Sequence, residues 1–175
     1  PNNLPVRQFN AFNLKADNVR IDNCGFFGSF DVAITNEGRN NVLARNKFEQ
    51  NEVSIKELDI AKNGKYTYNE FLFAQQGIIL HGMYGEIRNS KFEVGGVGIK
   101  IGKGTISPRQ VGQGDMIAYP NLYPNFICSD STALGLNLCS NPNSGRDVKI
   151  YNNDVKMLNV GIEIGALDNI IDGNI

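Results

Sequence analysis

The stretch Ile87-Arg88-Asn89-Ser90-Lys91-Phe92 decides how this chain folds, because its plan recurs. Ile21-Asp22-Asn23-Cys24-Gly25-Phe26, Leu43-Ala44-Arg45-Asn46-Lys47-Phe48 and Ile150-Tyr151-Asn152-Asn153-Asp154-Val155 follow the same order. Each has an aliphatic residue, a polar stretch with Asn, and an apolar residue five positions on. A last copy reads Ile170-Ile171-Asp172-Gly173-Asn174-Ile175. A second segment follows each of the four complete copies, alternating apolar with small or polar residues. Its copies are Val32-Ala33-Ile34, Val53-Ser54-Ile55, Val97-Gly98-Ile99-Lys100-Ile101 and Val160-Gly161-Ile162-Glu163-Ile164. Gly77-Ile78-Ile79-Leu80 is an orphan copy of this segment. Period-two alternation marks a strand with one buried face.

The copies of the first segment begin at 21, 43, 87, 150 and 170, in steps of 22, 44, 63 and 20. The 44-residue step holds the orphan segment and reads as two units with an insert at 57–76. The 63-residue step reads as one unit plus an insert at 102–147. A short unit of this kind cannot bury its own apolar side chains, so units stack and bury them together. The expected fold is all-β: a right-handed single-stranded parallel β-helix of about 6–7 rungs, one domain over 1–175 with two inserted loops. Composition agrees. The 24 Asn and 19 Gly favour turns over helices, and 18 Ile with 11 Val favour strands, against only 9 Ala. Asn tolerates the left-handed backbone of tight bends, and its amide can bond to the Asn one rung away. Asn23, Asn89 and Asn152 share a register for such a ladder, with Asn46 one position off it.

Residues 9–56, 77–101 and 148–175 resemble the parallel β-helix repeats of the pectin-lyase-like superfamily, which holds pectate lyases, polygalacturonases, mannuronan epimerases and many phage tailspikes. A leucine-rich repeat ranks well below, because the frame here is Ile, Val and Phe rather than Leu. Gly96-Val97-Gly98-Ile99-Lys100-Ile101 is similar to the polygalacturonase strand that ends in a cleft Arg-Ile-Lys, with Lys100 matching and Gly98 at the Arg position. Leu80-His81-Gly82 is similar to part of that family's Gly-His-Gly. The paired aspartates of that family have no match, nor has the Asp-Pro-His of the epimerases.

Other classes are excluded by simple counts. Lys and Arg number 17 against 18 Asp and Glu, which leaves no basic excess for nucleic acid. No apolar run is long enough for a transmembrane helix. One His and three Cys cannot build a four-cysteine or multi-histidine metal site. The start at Pro1 and a last copy lacking its second strand give the expectation of a longer chain, or of another chain covering that end. Cys128 and Cys139, 11 positions apart in the long insert, are expected to form a disulfide, which implies an oxidising compartment. Cys24 reads as a packed bend residue.

Aligning the second segments on Ile34, Ile55, Leu80, Ile99 and Ile162 sets up an outward column of Thr35, Lys56, His81, Lys100 and Glu163. Both inserts leave the shaft beside it. Lys56, His81, Lys100 and Glu163 are the candidate catalytic residues; Thr35, with Tyr119, Tyr123 and Phe126 of the long insert, are the candidate sugar contacts. Glycosidases use two carboxyls about 5–10 Å apart, and the column holds only Glu163. A lyase needs a base and a way to neutralise the uronate, by Ca2+ or a cationic side chain. If the chain is an enzyme, polysaccharide lyase is therefore favoured over glycoside hydrolase. The sequence names no cofactor; Ca2+ is the one that a resemblance to pectate lyases would bring, but their type of acidic cluster is not apparent, with Glu57 and Asp59 the nearest acidic pair. The reading is a surface or secreted module that binds, and cleaves if it is an enzyme, an acidic polysaccharide. The alternative is a non-catalytic shaft of a tailspike, adhesin or fibre, for which a homotrimer is expected. Either places the chain outside the cell or on a virion or cell surface.

Overall fold

The structure is a computed structural model that describes residues 10–28, 30–102, 105–106, 127–131, 136–140, 145–157, 159–166 and 168–175. The chain winds as a parallel β-solenoid. The first turn holds β1 (Asn10–Leu14), β2 (Arg20–Asp22) and β3 (Gly25–Phe27); the second β4 (Val32–Asn36), β5 (Val42–Ala44) and β6 (Lys47–Glu49). The third holds β7 (Val53–Glu57), β8 (Lys65–Thr67) and β9 (Glu70–Leu72); the fourth β10 (Gln76–Leu80), β11 (Glu86–Arg88) and β12 (Lys91–Val94). The fifth starts with β13 (Val97–Ile101). It is interrupted by β14 (Thr105–Ile106), β15 (Ile127–Ser131) and β16 (Leu136–Ser140), and resumes with β17 (Lys149–Tyr151) and β18 (Asp154–Met157). A sixth turn opens with β19 (Val160–Ile164) and β20 (Ile170–Asp172). Five complete turns thus replace the expected 6–7. The first strand of every turn stacks into sheet A, the second into sheet B and the third into sheet C, all in parallel.

Residues 57–76 are a correction. They are not a loop leaving the shaft, because β8 and β9 lie in them and continue sheets B and C. Tyr66-Thr67-Tyr68-Asn69-Glu70-Phe71 repeats the plan of Leu43 to Phe48, with a fully buried Tyr66 where the other copies place an aliphatic residue. The true insert lies between β13 and Gly145. Its described part is the antiparallel sheet β14-β16-β15.

Two side-chain columns fill the interior. Phe26, Phe48, Phe71 and Phe92 stack face to face, with centroids 4.9, 5.1 and 4.5 Å apart. Burial of each ring contributes about 1.5–3 kcal/mol, and each ring pair adds about 0.5–1.5 kcal/mol. Ile34, Ile55, Ile78 and Ile99 form the facing aliphatic column, all fully buried. The sheet A position one residue earlier is small (Ala33, Ser54, Gly77, Gly98) because the rings press against it: a Cβ at Gly77 would lie 2.8 Å from Phe92 Cδ1.

The corners explain the asparagines. At the B–C corner the left-handed residues are Asn23, Arg45, Tyr68, Asn89, Asn152 and Gly173. The amide ladder is not built by Asn23, Asn89 and Asn152, as the sequence register suggested, but by the next position: Asn46, Asn69, Asn153 and Asn174, with Ser90 substituting once. Asn69 Oδ1 accepts from Asn46 N at 2.9 Å, Asn153 Oδ1 from Ser90 N at 3.0 Å, and Asn174 Oδ1 from Asn153 N at 3.0 Å. Each amide also donates across to sheet B, as Asn69 Nδ2 does to Leu43 O at 2.8 Å. Buried backbone groups at a corner have no sheet partner, and an amide supplies both donor and acceptor. Asn46 is therefore in the ladder and Asn23 outside it.

Candidate functional site

Strand alternation turns one residue per rung outward from the middle of sheet A, and the register fixes which. The column reads Asn13, Thr35, Lys56, Ile79, Lys100 and Glu163. Thr35, Lys56, Lys100 and Glu163 therefore stand together as the sequence suggested. His81 does not stand in the column. Ile78, not Leu80, pairs with Ile55 and Ile99, so Ile79 occupies the fourth place.

His81 lies just beyond the end of β10. Its Nδ1 is 3.2 Å from Gly102 O, and its backbone N–H donates to Glu57 O. A carbonyl only accepts, so the neutral ring donates from Nδ1 and carries its basic lone pair on Nε2. Burial holds the imidazole below its usual value of 6.5. The Gly102 carbonyl opposes this, and the charges of Lys56 and Lys100 push it lower still. His81 is thus a neutral imidazole at pH 7, close enough to both lysines to sense them.

Lys100 Nζ and Glu163 Oε1 form an ion pair at 3.0 Å, with both side chains substantially exposed. Such a surface pair contributes about 0–1 kcal/mol, so ligand binding can break it at little cost. Lys56 makes no ion pair among the described residues. Rungs are about 4.8 Å apart, which sets Lys56 and Lys100, two rungs apart, at about 10 Å. Thr35 is buried, with Asn10 Nδ2 3.4 Å from its Oγ1, so it offers little surface for a sugar contact. One insert, not two, leaves the shaft beside the column, directly after Ile101. Tyr119, Tyr123 and Phe126 lie outside the described residues. Cys128 stands directly opposite Cys139 in the antiparallel pair β15–β16.

Glu57 follows Lys56 and so points the other way, into the shaft. Its carboxyl is fully buried. Tyr66 Oη donates to Oε2, and Asn36 Nδ2 lies 3.3 Å from the same oxygen. Asn36 Nδ2 also donates to Tyr66 Oη at 3.0 Å, and Asn41 Nδ2 donates to Asn36 Oδ1 at 2.7 Å. Oε1 has no hydrogen-bond partner. The carboxyl fits because two glycines make room: a Cβ at Gly64 would stand 2.0 Å from Oε2, and one at Gly82 2.1 Å from Oε1. Burial raises the Glu57 pKa to about 7 against the partial relief of the Tyr66 and Asn36 hydrogen bonds. The Tyr66 phenol is pushed well above its usual range by burial, and further by Glu57. Asp59 is also buried. The Glu57 and Asp59 pair is thus turned away from solvent, and among the described residues no group of three His, Cys, Asp or Glu is placed to hold a metal ion. Alternation from Lys56 already places Glu57 inward; its partners come from the next strand of its own turn, Tyr66, and from the preceding turn, Asn36, and carry no local signal.

These features define the chain as an all-β parallel β-solenoid with two lysines and a glutamate in one outward column of sheet A. No protein-family model, no curated protein and no solved structure matches it.

Proposed function

We propose that the outer face of sheet A binds an acidic polysaccharide, and that the chain belongs with the pectin-lyase-like proteins of cell, virion or secreted surfaces. One observation carries this reading: Lys56 and Lys100 project from one flat column, two rungs apart, with His81 close enough to sense both and Glu163 the one carboxylate among the described residues of the column. Two ammonium groups about 10 Å apart on a rigid sheet meet uronate carboxylates along an extended chain with no reorganisation beyond release of Lys100 from Glu163. The neutral His81 imidazole is the base that a lyase reaction needs to take the proton next to a uronate carboxylate. A hydrolase is disfavoured, because the column offers one carboxylate and that one is paired with Lys100.

The test is binding of polygalacturonate and alginate oligomers by calorimetry at low and moderate salt, with ultraviolet absorbance followed for unsaturated products. Binding that weakens with salt and is lost in Lys56→Ala and Lys100→Ala supports the reading. Unsaturated product lost in His81→Ala extends it to a lyase. Uronates that bind neither the protein nor its variants overturn it.

A second reading is an inert shaft, favoured by the outer face of sheet C. There Lys47–Glu49, Lys91–Glu93 and Lys156–Asp154 pair at 3.1, 2.9 and 3.6 Å, so the surface is occupied by its own charges. Self-association into a trimer without glycan binding is its expected signature.

A further inference from the structure

The corner where sheet C turns into sheet A carries two confluent surface grooves, of about 440 and 290 Å³. Phe73 and Gln75 line both. Glu93 and Lys156 border the first groove, and Asp31, Gln50 and Glu52 the second. Asp31, Glu52 and Gln75 are in step along the shaft, since each backbone carbonyl receives an N–H from the next rung: Val53, Gln76 and Val97 respectively. Gly95 leaves the floor open beyond them, with nothing closer than 3.8 Å to where its Cβ would be. Three rung steps from Asp31 to Gly95 span about 14 Å, enough for several sugar rings.

Among the described residues Phe73 is the most exposed of three aromatics at left-handed positions, the others being Tyr68 and Tyr84. The Phe73 side chain is 68% exposed, and its backbone is left-handed at φ 55°. Exposure forgoes the burial of a whole ring, and the left-handed conformation costs a non-glycine residue stability. The same corner uses Gly28 and Gln50 on earlier turns, so the fold has no need of a phenyl group there. A strained, exposed aromatic held at the meeting of two grooves by a rigid corner is placed for a ligand.

We infer that this groove binds a neutral glycan chain, with Phe73 stacked on the C–H face of one sugar ring. The electron-rich face of a phenyl ring attracts the weakly positive axial hydrogens of a pyranose. The Gln50 and Gln75 amides and the Asp31, Glu52 and Glu93 carboxylates accept and donate where sugar hydroxyls point. Charge selects the class of sugar. Of the lining charges, Glu93 is paired with Lys91 and Lys156 with Asp154, so among the described residues the groove offers no uncompensated cation to a uronate carboxylate. It differs in this from the Lys56 and Lys100 face, and the inference does not rest on that face having a ligand.

The test is calorimetric titration of the full chain with cellohexaose, maltohexaose, mannohexaose and N-acetylchitohexaose. At least one is expected to bind with a millimolar or tighter Kd. Phe73→Asn is expected to weaken that binding about tenfold or more, and Phe73→Tyr to retain it. Asn tolerates the left-handed region, so Phe73→Asn keeps the fold and raises Tm slightly; Gln75→Ala gives an independent weakening. Lys100→Ala leaves this binding unchanged, which separates it from uronate binding on sheet A. The inference is overturned if no neutral hexasaccharide binds, or if Phe73→Asn binds as the parent does.

Discussion

Glu57→Gln is the sharpest perturbation, because a buried carboxyl imposes a pH dependence that its amide does not. The folded carboxyl has a pKa of about 7 against 4.5 for a free glutamate side chain. A raised folded value means that the proton is held more tightly in the native state. The stability this confers is fully present below pH 4.5, declines as pH rises from 4.5 to 7, and is gone above 7. The difference of 2.5 corresponds to about 3 kcal/mol at about 1.36 kcal/mol per unit. For a domain of this size that is roughly 9 °C in Tm. Gln keeps the shape and an oxygen for Tyr66 Oη and the Asn36 amide, but has no proton to lose in this range. Urea unfolding of both proteins at pH 4.5, 5.5, 6.5 and 7.5, all within about the same m-value, isolates the Glu57 contribution as a difference curve. The parent is expected to lose about 3 kcal/mol more than Glu57→Gln across that window. A difference that stays flat with pH would falsify the claim that this carboxyl is buried and neutral.

Three further outcomes follow from the packing. Phe71→Ala removes the ring that stacks on both Phe48 and Phe92, and is expected to cost about 4–5 kcal/mol by denaturant titration. Asn69→Ala strips the partners from Asn46 N and Leu43 O, so it should cost about 2–4 kcal/mol and speed hydrogen exchange at the Asn46 amide; unchanged exchange there would count against the ladder. Directly opposed antiparallel residues have Cα atoms about 4.5–5.5 Å apart, which suits a disulfide. Thiol titration of the denatured, unreduced protein is therefore expected to find one thiol, Cys24, with Cys128 and Cys139 appearing only after reduction.

Much of this was legible in the sequence, and the misses share one cause. The inward Ile34, Ile55 and Ile99 and the outward Lys56, Lys100 and Glu163 follow from alternation within single segments, and Phe26, Phe48 and Phe92 from the recurring first segment. Alternation fixes which face a residue takes, but a slip of two residues preserves the face and changes the neighbour. That slip placed His81 in the column where Ile79 stands. Residues 57–76 were hidden for a related reason. The corner after β7 runs over residues 58–64, longer than the 37–41 corner of the turn before, and a tyrosine fills the aliphatic position of β8. Asn46 looked out of register because the left-handed residue and the ladder residue are adjacent, and asparagine suits both.

The sequence by itself determined the rung length, the faces of the strands and the exclusion of helical architectures and of four-cysteine or multi-histidine metal sites, because those rest on local periodicity and composition. Only the tertiary structure decided which residues of different rungs stand over one another. Corner lengths vary from turn to turn without changing the strand pattern, so register is settled by stacking. The acidity of Glu57, the charge sensed by His81 and the groove around Phe73 all arise between strands that only the winding of the chain brings together. The contacts of Glu57 join residues 9 positions apart, with Tyr66, and 21 apart, with Asn36, which no local pattern encodes.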